Sequence, residues 1–379
     1  MREVRVAGVG MIRFGRFPER PIEDMGREAV QKALADAGVH GNQIQETFCG
    51  SGYGGPLLGQ RILRDMGMTG MAITNVENAC SSGTTALREG IAAVAMGRID
   101  TALVIGIDKL TKFGGGTVPL ETTDLEVGEG MVMPGLYAMR ARRYMHEFGA
   151  TPKHLAMVSV KAHKNGARNP YAQYQKEVTL EEVMQSRMIA DPLTMYMCCP
   201  TGDGAAAVVV TTGEKVRQWG VPSVRVLAST LQSGLYKTGF RDMAANELSA
   251  RTGKLAYEQA GLGPKDINLA EVHDAFAIAE VLYYEALGFC GKGEAKKLIE
   301  HGETEIAGRI PVNPSGGLKT RGHPVGATGV AQVCEAVWQL RGQAGGRQVQ
   351  GAKVALTHCT GGGIAGLDHG ACSIHIFTK

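Results

Sequence analysis

One stretch of this chain occurs twice. Ala33-Leu34-Ala35-Asp36-Ala37-Gly38-Val39 is matched by Ala256-Tyr257-Glu258-Gln259-Ala260-Gly261-Leu262. Ala260, Gly261, Leu262 and Ile267 each stand 223 positions after Ala37, Gly38, Val39 and Ile44. Each copy reads as an amphipathic helix closed by a glycine C-cap. A strand-like stretch follows in both, over residues 45–49 and 269–273. The order then continues. Copy one reaches the turn Cys80-Ser81-Ser82-Gly83, a helix pattern, and a strand over 101–106. Copy two reaches His323-Pro324-Val325-Gly326, a helix over 330–340, and a strand over 352–357. A reactive residue therefore opens the equivalent helix of each copy. Alternating strands and helices predict an α/β architecture. Two such units back to back place both helix N-termini near one pseudo-twofold axis.

The stretch between the copies has another character. It is rich in methionine (Met131, Met133, Met139, Met145, Met157, Met184, Met188, Met195, Met197). It also carries Arg140, Arg142, Arg143, Lys161, Lys164 and Arg168. The division that follows is an N-terminal half over 1–110 and 200–225, an inserted subdomain over 111–199, and a C-terminal half over 226–379. The methionines are adaptable core filler or acyl-site lining. The basic residues form a solvated helix face, or a few of them meet the phosphates of a nucleotide-bearing substrate.

Four segments carry chemical potential. The Cys80 turn follows a strand over 72–76, so the free N–H groups of the next helix aim at the thiol and favour thiolate. Small neighbours (Ala79, Ser81, Ser82, Gly83) leave room for a carbonyl to reach the sulfur. Glu271-Val272-His273-Asp274-Ala275-Phe276 ends a strand. Asn313-Pro314-Ser315-Gly316-Gly317 leads to Gly322-His323-Pro324, whose glycines permit close approach. His358-Cys359-Thr360-Gly361-Gly362-Gly363 follows the last strand pattern. His40, His146, His154, His301, His369 and His375 stand outside these segments and read as structural.

In these four segments the chain resembles the thiolase family. That family has a nucleophilic C-x-S loop, an Asn-Glu-Ala-Phe or His-Asp-x-Phe loop, a Gly-His-Pro loop and a C-terminal C-x-G loop. Here they stand in order as Cys80-Ser81-Ser82, His273-Asp274-Ala275-Phe276, Gly322-His323-Pro324 and Cys359-Thr360-Gly361. The resemblance spans essentially the whole chain. It implies a five-layered αβαβα sandwich of two duplicated halves plus an inserted loop domain, assembled as a homodimer or a dimer of dimers. It implies acyl transfer between a β-ketoacyl-CoA and CoA. Residue by residue, Cys80 is the acylated nucleophile and His323 takes its proton. Cys359 is the second acid/base. His273 and His323 form one oxyanion hole, and the backbone N–H groups of Cys80 and Gly361 form the other. Coenzyme A enters as a substrate, held by the 111–225 segment, with no permanently bound cofactor and no metal.

One departure narrows the group. The His-Asp-x-Phe loop is similar to that of sterol-carrier-protein thiolases, which usually carry cysteine where this chain has Ala275. The remaining thiol is Cys359. This mixture resembles archaeal and bacterial thiolases that work with a small zinc-ribbon/OB-fold partner subunit.

Rival readings differ in what they require. Gly361-x-Gly363-x-x-Gly366 has dinucleotide-fingerprint spacing, but too few residues follow it for a helix and second strand. A β-ketoacyl synthase would lack the second thiol. A subunit of a heteromeric acyltransferase or retro-aldolase, or an acyl-binding scaffold, is a further reading, and the intact Cys80 argues against a chain that has lost its nucleophile. The net charge of +3 gives no case for nucleic acid or a membrane surface. Eight cysteines without C-x-x-C suggest neither a disulfide framework nor a zinc site and fit a reducing cytoplasm. The N-terminus enters a strand without a signal-peptide pattern, and no apolar run approaches the roughly 18 residues of a membrane span.

Overall fold

The computed structural model describes residues 2–238, 241–366 and 368–379. Its strands, in chain order, are β1 (Val4–Met11), β2 (Glu46–Gly50), β3 (Ala72–Val76), β4 (Thr101–Lys109), β5 (Met188–Ala190), β6 (Leu193–Thr194), β7 (Asp203–Thr212), β8 (Val224–Gln232), β9 (Leu269–Glu271), β10 (Val354–Gly361) and β11 (Ala371–Thr378). Nine of them share one sheet in the order β3-β2-β4-β7-β1-β8-β11-β10-β9. From the middle outward, β1-β7-β4-β2-β3 is answered by β8-β11-β10-β9, with Val312 bridging to Ala270 where β3 would stand. Strand directions repeat as well. β2 runs parallel to β4, and β9 to β10, while β4/β7 and β10/β11 are antiparallel. β1 and β8 join the halves through two residue pairs, Arg5↔Arg225 and Val6↔Val224.

Each half buries both faces of its strands. Along β4, Leu103, Ile105 and Ile107 face one apolar core and Ala102 and Val104 another, the period of two that a doubly covered strand needs. The first core belongs to the outer helix Ile22–Ala37. The second holds the helices Ser82–Ala95 and Val325–Arg341, between the two half-sheets. A third core, under the helices Glu247–Ala260 and Ala277–Ala286, covers the far face of the second half. Helix, sheet, helix, sheet, helix is the five-layer order expected. The outer helices of the repeat end as read, on Gly38 (φ 62°) and Gly261 (φ 67°) in the left-handed conformation.

The two central helices meet at their N-termini, and glycine makes this possible. A Cβ on Gly83 would lie 2.2 Å from the carbonyl oxygen of Gly326. One on Gly326 would lie 2.6 Å from the Gly50 carbonyl. Backbone atoms cannot rotate away. Gly83→Ala should therefore cost about 1–3 kcal/mol of overpacking strain and lower the thermal midpoint. Gly346→Ala, whose Cβ meets nothing closer than 4.0 Å, is the matched control. Equal melting of the two variants would refute the contact.

The segment between β4 and β7 contains the helices Met133–Phe148, Pro152–Gly166 and Leu180–Gln185 and the β5–β6 hairpin. Its apolar residues Tyr137, Ala141, Leu155 and Val183 share the third core with the second half. The methionines divide between roles. Met145 and Met157 pack on that core, while Met139, Met184 and Met188 are exposed. The basic residues are mostly committed to carboxylates: Arg140 to Asp368, Arg142 to Asp191, Arg143 to Glu147, Lys161 to Glu280 and Lys164 to Glu305. Of these pairs, those of Arg140 and Lys161 are buried and the other three lie at the surface. Two boundaries also move. His273 lies beyond the end of β9, and His358 and Cys359 lie inside β10 rather than after it, because Cys359 pairs across to Ser373 of β11.

Candidate active site

Cys80 sits in a single turn, Ala79–Ser81, that leads directly into the helix Ser82–Ala95. Ala79 is held at φ 48°, a left-handed conformation that a residue with a Cβ adopts only when its surroundings impose it. The surroundings do so through small hydroxyls. Ser82 Oγ accepts from the Asn78 N–H (2.8 Å) and donates to the Ala79 carbonyl (2.6 Å). Ser81 Oγ donates to the Cys359 carbonyl at 3.0 Å, pinning the turn to β10.

His323 reaches the same place from the other half, one residue before the N-cap of the helix Val325–Arg341. Its Nδ1 lies 2.7 Å from Thr328 Oγ1, one turn along that helix. Asp108, at the end of β4, fixes the helix start. Its carboxylate accepts from the N–H groups of Gly326 (2.6 Å), Gly52 (2.9 Å) and Tyr53 (2.8 Å) and from Ser51 Oγ (2.7 Å). A carboxylate at a helix N-terminus is favoured by the helix dipole. Here it also ties the two halves together beside the reactive residues.

His273 follows β9, and its ring meets that of His323 edge-on at 4.9 Å. Its Nδ1 lies 3.2 Å from Thr360 Oγ1, while its buried Nε2 has no hydrogen-bond partner. The neighbouring Asp274 accepts from the Leu318 N–H at 2.7 Å and pairs with Lys319, which also pairs with Glu280 at 2.9 Å. Glu280 pairs in turn with Lys161 of the insert. These four side chains are buried, so removing one partner strands the others' charge, a loss of about 3–5 kcal/mol. The network locks the His273 loop, the His323 loop and the insert into one frame.

Cys80 Sγ and a ring nitrogen each of His273 and His323 all lie within 4.8 Å of one another. They open on a cavity of about 710 Å³ whose apolar walls include Met131, Met133, Met195, Tyr196 and the stacked pair Tyr137 and Phe276. Cys359 is fully buried behind Cys80. Its thiol donates to the Cys80 carbonyl at 3.1 Å and is not part of the cavity wall. Gly361 is wedged against the turn, where a Cβ would stand 2.2 Å from the Asn78 carbonyl. Gly362 is the glycine that lines the cavity, and its N–H bonds to the Cys80 sulfur. The structure thus gathers Cys80, His273 and His323 at one point, with Cys359 and Gly361 directly behind.

The electrostatics differ from the sequence expectation. Burial pushes the Cys80 thiol up to about 12, and the Gly362 N–H only partly offsets it, with Asp108 and Glu77 adding to the rise. Burial likewise lowers His323 to about 3 and puts His273 well below the ordinary imidazole range. The Cys359 thiol is raised well above its usual value by burial and by Cys80. At all four groups desolvation is the largest cause and opposes the charged form. Below its pKa the thiolate fraction of Cys80 grows tenfold per pH unit. Alkylation of Cys80 by iodoacetamide, followed by mass spectrometry, should therefore climb about tenfold per unit from pH 7 to 10 without levelling. A plateau below pH 9 would show a stabilised thiolate instead.

Several contributors carry no motif. His369, read as structural, lines the cavity and bonds to Tyr137. Asp108 and Lys319 act through partners distant in sequence, and Thr328 through His323 just before it. A polar residue one helical turn after a histidine is too common a pattern to have singled out Thr328.

Comparison with known proteins agrees with this geometry. The family model for the thiolase N-terminal domain matches residues 4–214, and that for the thiolase C-terminal domain-like region matches 235–368. The chain is 43% identical over 368 residues to the benzoylsuccinyl-CoA thiolase subunit BbsB of Thauera aromatica, covering 96% of this chain and 95% of that one. It is 43% identical over 388 residues to an acetyl-CoA acetyltransferase of Methanothermobacter thermautotrophicus, covering 100% of both. Among solved structures, the Ltp2-ChsH2(DUF35) aldolase superposes with a TM-score of 0.86 at 27% identity, over 99% of this chain and 98% of that one. Two family models that together take in both halves of the duplication, and relatives matched end to end, leave one assignment: the chain is a member of the thiolase family of acyltransferases.

Proposed function

We propose that this enzyme performs CoA-dependent thiolytic cleavage of a β-ketoacyl-CoA, or the reverse Claisen condensation, through an acyl-enzyme on Cys80. The observation that carries the reading is the meeting of Cys80 Sγ with the imidazoles of His273 and His323 at the floor of an acyl-sized cavity. The Cys80 sulfur attacks the β-carbonyl carbon while its proton passes to His323. Thr328 supports this by accepting from Nδ1–H, which leaves Nε2 as the base. The neutral pair becomes an ion pair only as the carbonyl arrives. The carbon–carbon bond then breaks toward the CoA-bearing fragment. His273 and His323 hold the enolate oxygen. Cys359 supplies the proton to its carbon, its thiol turning from the Cys80 carbonyl to do so. CoA displaces the acyl group from Cys80 and its thiol proton restores the enzyme. For the tetrahedral oxyanion at the acylated sulfur, the N–H of Cys80 and Gly361 are the donors by resemblance. The contact of the Gly362 N–H with the sulfur favours Gly362 as the second donor. The trio is also a set a soft metal ion would accept, but the nucleophile's role needs a free sulfur, and no metal is assigned.

The insert supplies much of the cavity wall, with the exposed Arg187 on it, which supports its role in holding CoA and the acyl group. Aromatic and methionine walls suit a bulky or aromatic acyl group as well as a short one. The relative named for benzoylsuccinyl-CoA points the same way. That relative is named as a subunit, and the aldolase structure as one with a DUF35 component; both support a small zinc-ribbon/OB-fold partner. The mostly exposed edge strand β3 supports pairing with a second copy. Among the described residues no helix is long and apolar enough to cross a membrane, and the eight free cysteines support a cytoplasmic setting.

The test is a thiolysis panel of acetoacetyl-CoA, a fatty β-ketoacyl-CoA and an aromatic β-ketoacyl-CoA, with and without a co-expressed partner. Mass spectrometry reads the acyl adduct on Cys80. We expect cleavage of at least one class with the adduct on Cys80. Absence of any adduct, with the partner present, would reduce the chain to a scaffold.

A further inference from the structure

A buried line of polar side chains runs away from the reactive trio and ends on an ion pair. His273 Nδ1 lies 3.2 Å from Thr360 Oγ1, and Thr360 Oγ1 lies 3.1 Å from the Tyr283 hydroxyl. Tyr283 hydrogen-bonds to Tyr137. The Tyr137 hydroxyl lies 3.0 Å from His369 Nε2. His369 Nδ1 faces Asp368 at 3.5 Å, and Asp368 pairs with Arg140. The four links between Asp368 and His273 are all buried, so water does not compete for their hydrogen bonds.

We propose that Thr360 and Tyr283 are positioning residues that hold His273 with its single proton on Nε2. The argument starts at the cavity. Nε2 of His273 is buried and unpartnered, and a ring nitrogen of His273 lies within 4.8 Å of Cys80 Sγ and of a ring nitrogen of His323. A lone pair there would oppose the lone pair of His323, the base, whereas an N–H attracts it and can donate to a thioester oxygen. A neutral imidazole carries one proton, so Nδ1 must then accept. Thr360 is the hydroxyl within reach. It has one proton and two acceptor sites, and could turn that proton elsewhere. Tyr283 donates into its oxygen and leaves the Thr360 proton for His273. Tyr137 stands beyond Tyr283, and the Asp368–Arg140 pair closes the far end of the line. This assignment rests on the thiolase reading above. It adds residues that act through His273 rather than on the substrate.

The chain affects the step in which the enolate oxygen is held, not the acylation of sulfur, whose oxyanion uses backbone donors. That difference separates positioning from general damage. Thr360→Val keeps the shape and removes the hydroxyl. Tyr283→Phe breaks the next link and leaves the ring packed at a tilt against His358. Each variant is assayed with the β-ketoacyl-CoA giving the highest wild-type rate in the panel. Cys80 acylation by the matching acyl-CoA is timed in parallel by mass spectrometry. We expect kcat for cleavage to fall about 10- to 100-fold, less than the roughly 10²–10³ of losing an oxyanion donor outright. KM and the acylation rate should stay within about twofold, and Thr360→Ser should recover most of kcat. Unchanged cleavage in both variants, equal losses in cleavage and acylation, or no recovery with serine would each overturn the proposal. A wild-type enzyme inert to the whole panel would instead sink the thiolase reading.

Discussion

Cys80→Ala should leave a folded enzyme with no measurable carbon–carbon chemistry. The side chain is small, and its loss opens no large hole beside an existing cavity. What disappears is the atom that becomes acylated. Losing the nucleophile of a catalytic unit typically costs on the order of 10⁶ in kcat, because the remaining groups were arranged to serve it. Neither His273 nor His323 replaces it in this reading, because each is placed to move a proton or hold the enolate oxygen rather than to be acylated. The measurement is thiolysis of the best substrate, with a melting curve beside it and a search for acyl adducts on the protein. Cys80→Ser is the sterner version. Serine keeps a nucleophilic atom, yet its proton is held far more tightly, and turnover should remain negligible. An acyl adduct on another residue, with turnover retained, would remove Cys80 from the mechanism.

Cys359→Ala should separate the two halves of the reaction. Its sulfur lies behind Cys80 against the Cys80 carbonyl, and the cavity does not touch it. Acylation of Cys80 by a simple acyl-CoA therefore needs nothing from it. Protonation of the departing enolate carbon does. General acid catalysis by a positioned group is worth about 10²–10⁴, and cleavage of a β-ketoacyl-CoA should fall by that amount while the adduct on Cys80 still forms. Parallel loss of both steps would mean that Cys359 only braces the Cys80 turn. Full retention of cleavage would place the acid elsewhere, as in a β-ketoacyl synthase.

The duplication was legible because it is written in local signals. A glycine that must be left-handed closes each outer helix, and apolar spacing repeats around it at a constant offset. The strands follow from patterning of the same kind, and β3 was read to the residue. The nucleophile and the two histidines were legible because each stands in a short, chemically unusual segment. Other features were not. Thr328, Thr360, Tyr283 and Asp108 are ordinary residues whose importance is a matter of who faces them. His369 carries no flanking motif, and only folding sets it against Tyr137. The basic residues of the insert were ambiguous from sequence because a charge does not announce its partner. The fold showed most of them spent on carboxylates.

The state of the thiol marks the boundary between the two kinds of knowledge. A cysteine before a helix carries a local promise of a low pKa, since the nearest dipoles are those of its own chain. Desolvation is not local: it sums the apolar atoms that two half-domains and an insert bring around the sulfur, and here it wins. The amino-acid order therefore determined which atoms react and the repeated frame that carries them. How close those atoms stand, which of them keep their protons, and which unremarkable side chains orient them were decided only when Gly83 and Gly326 let the two central helices touch.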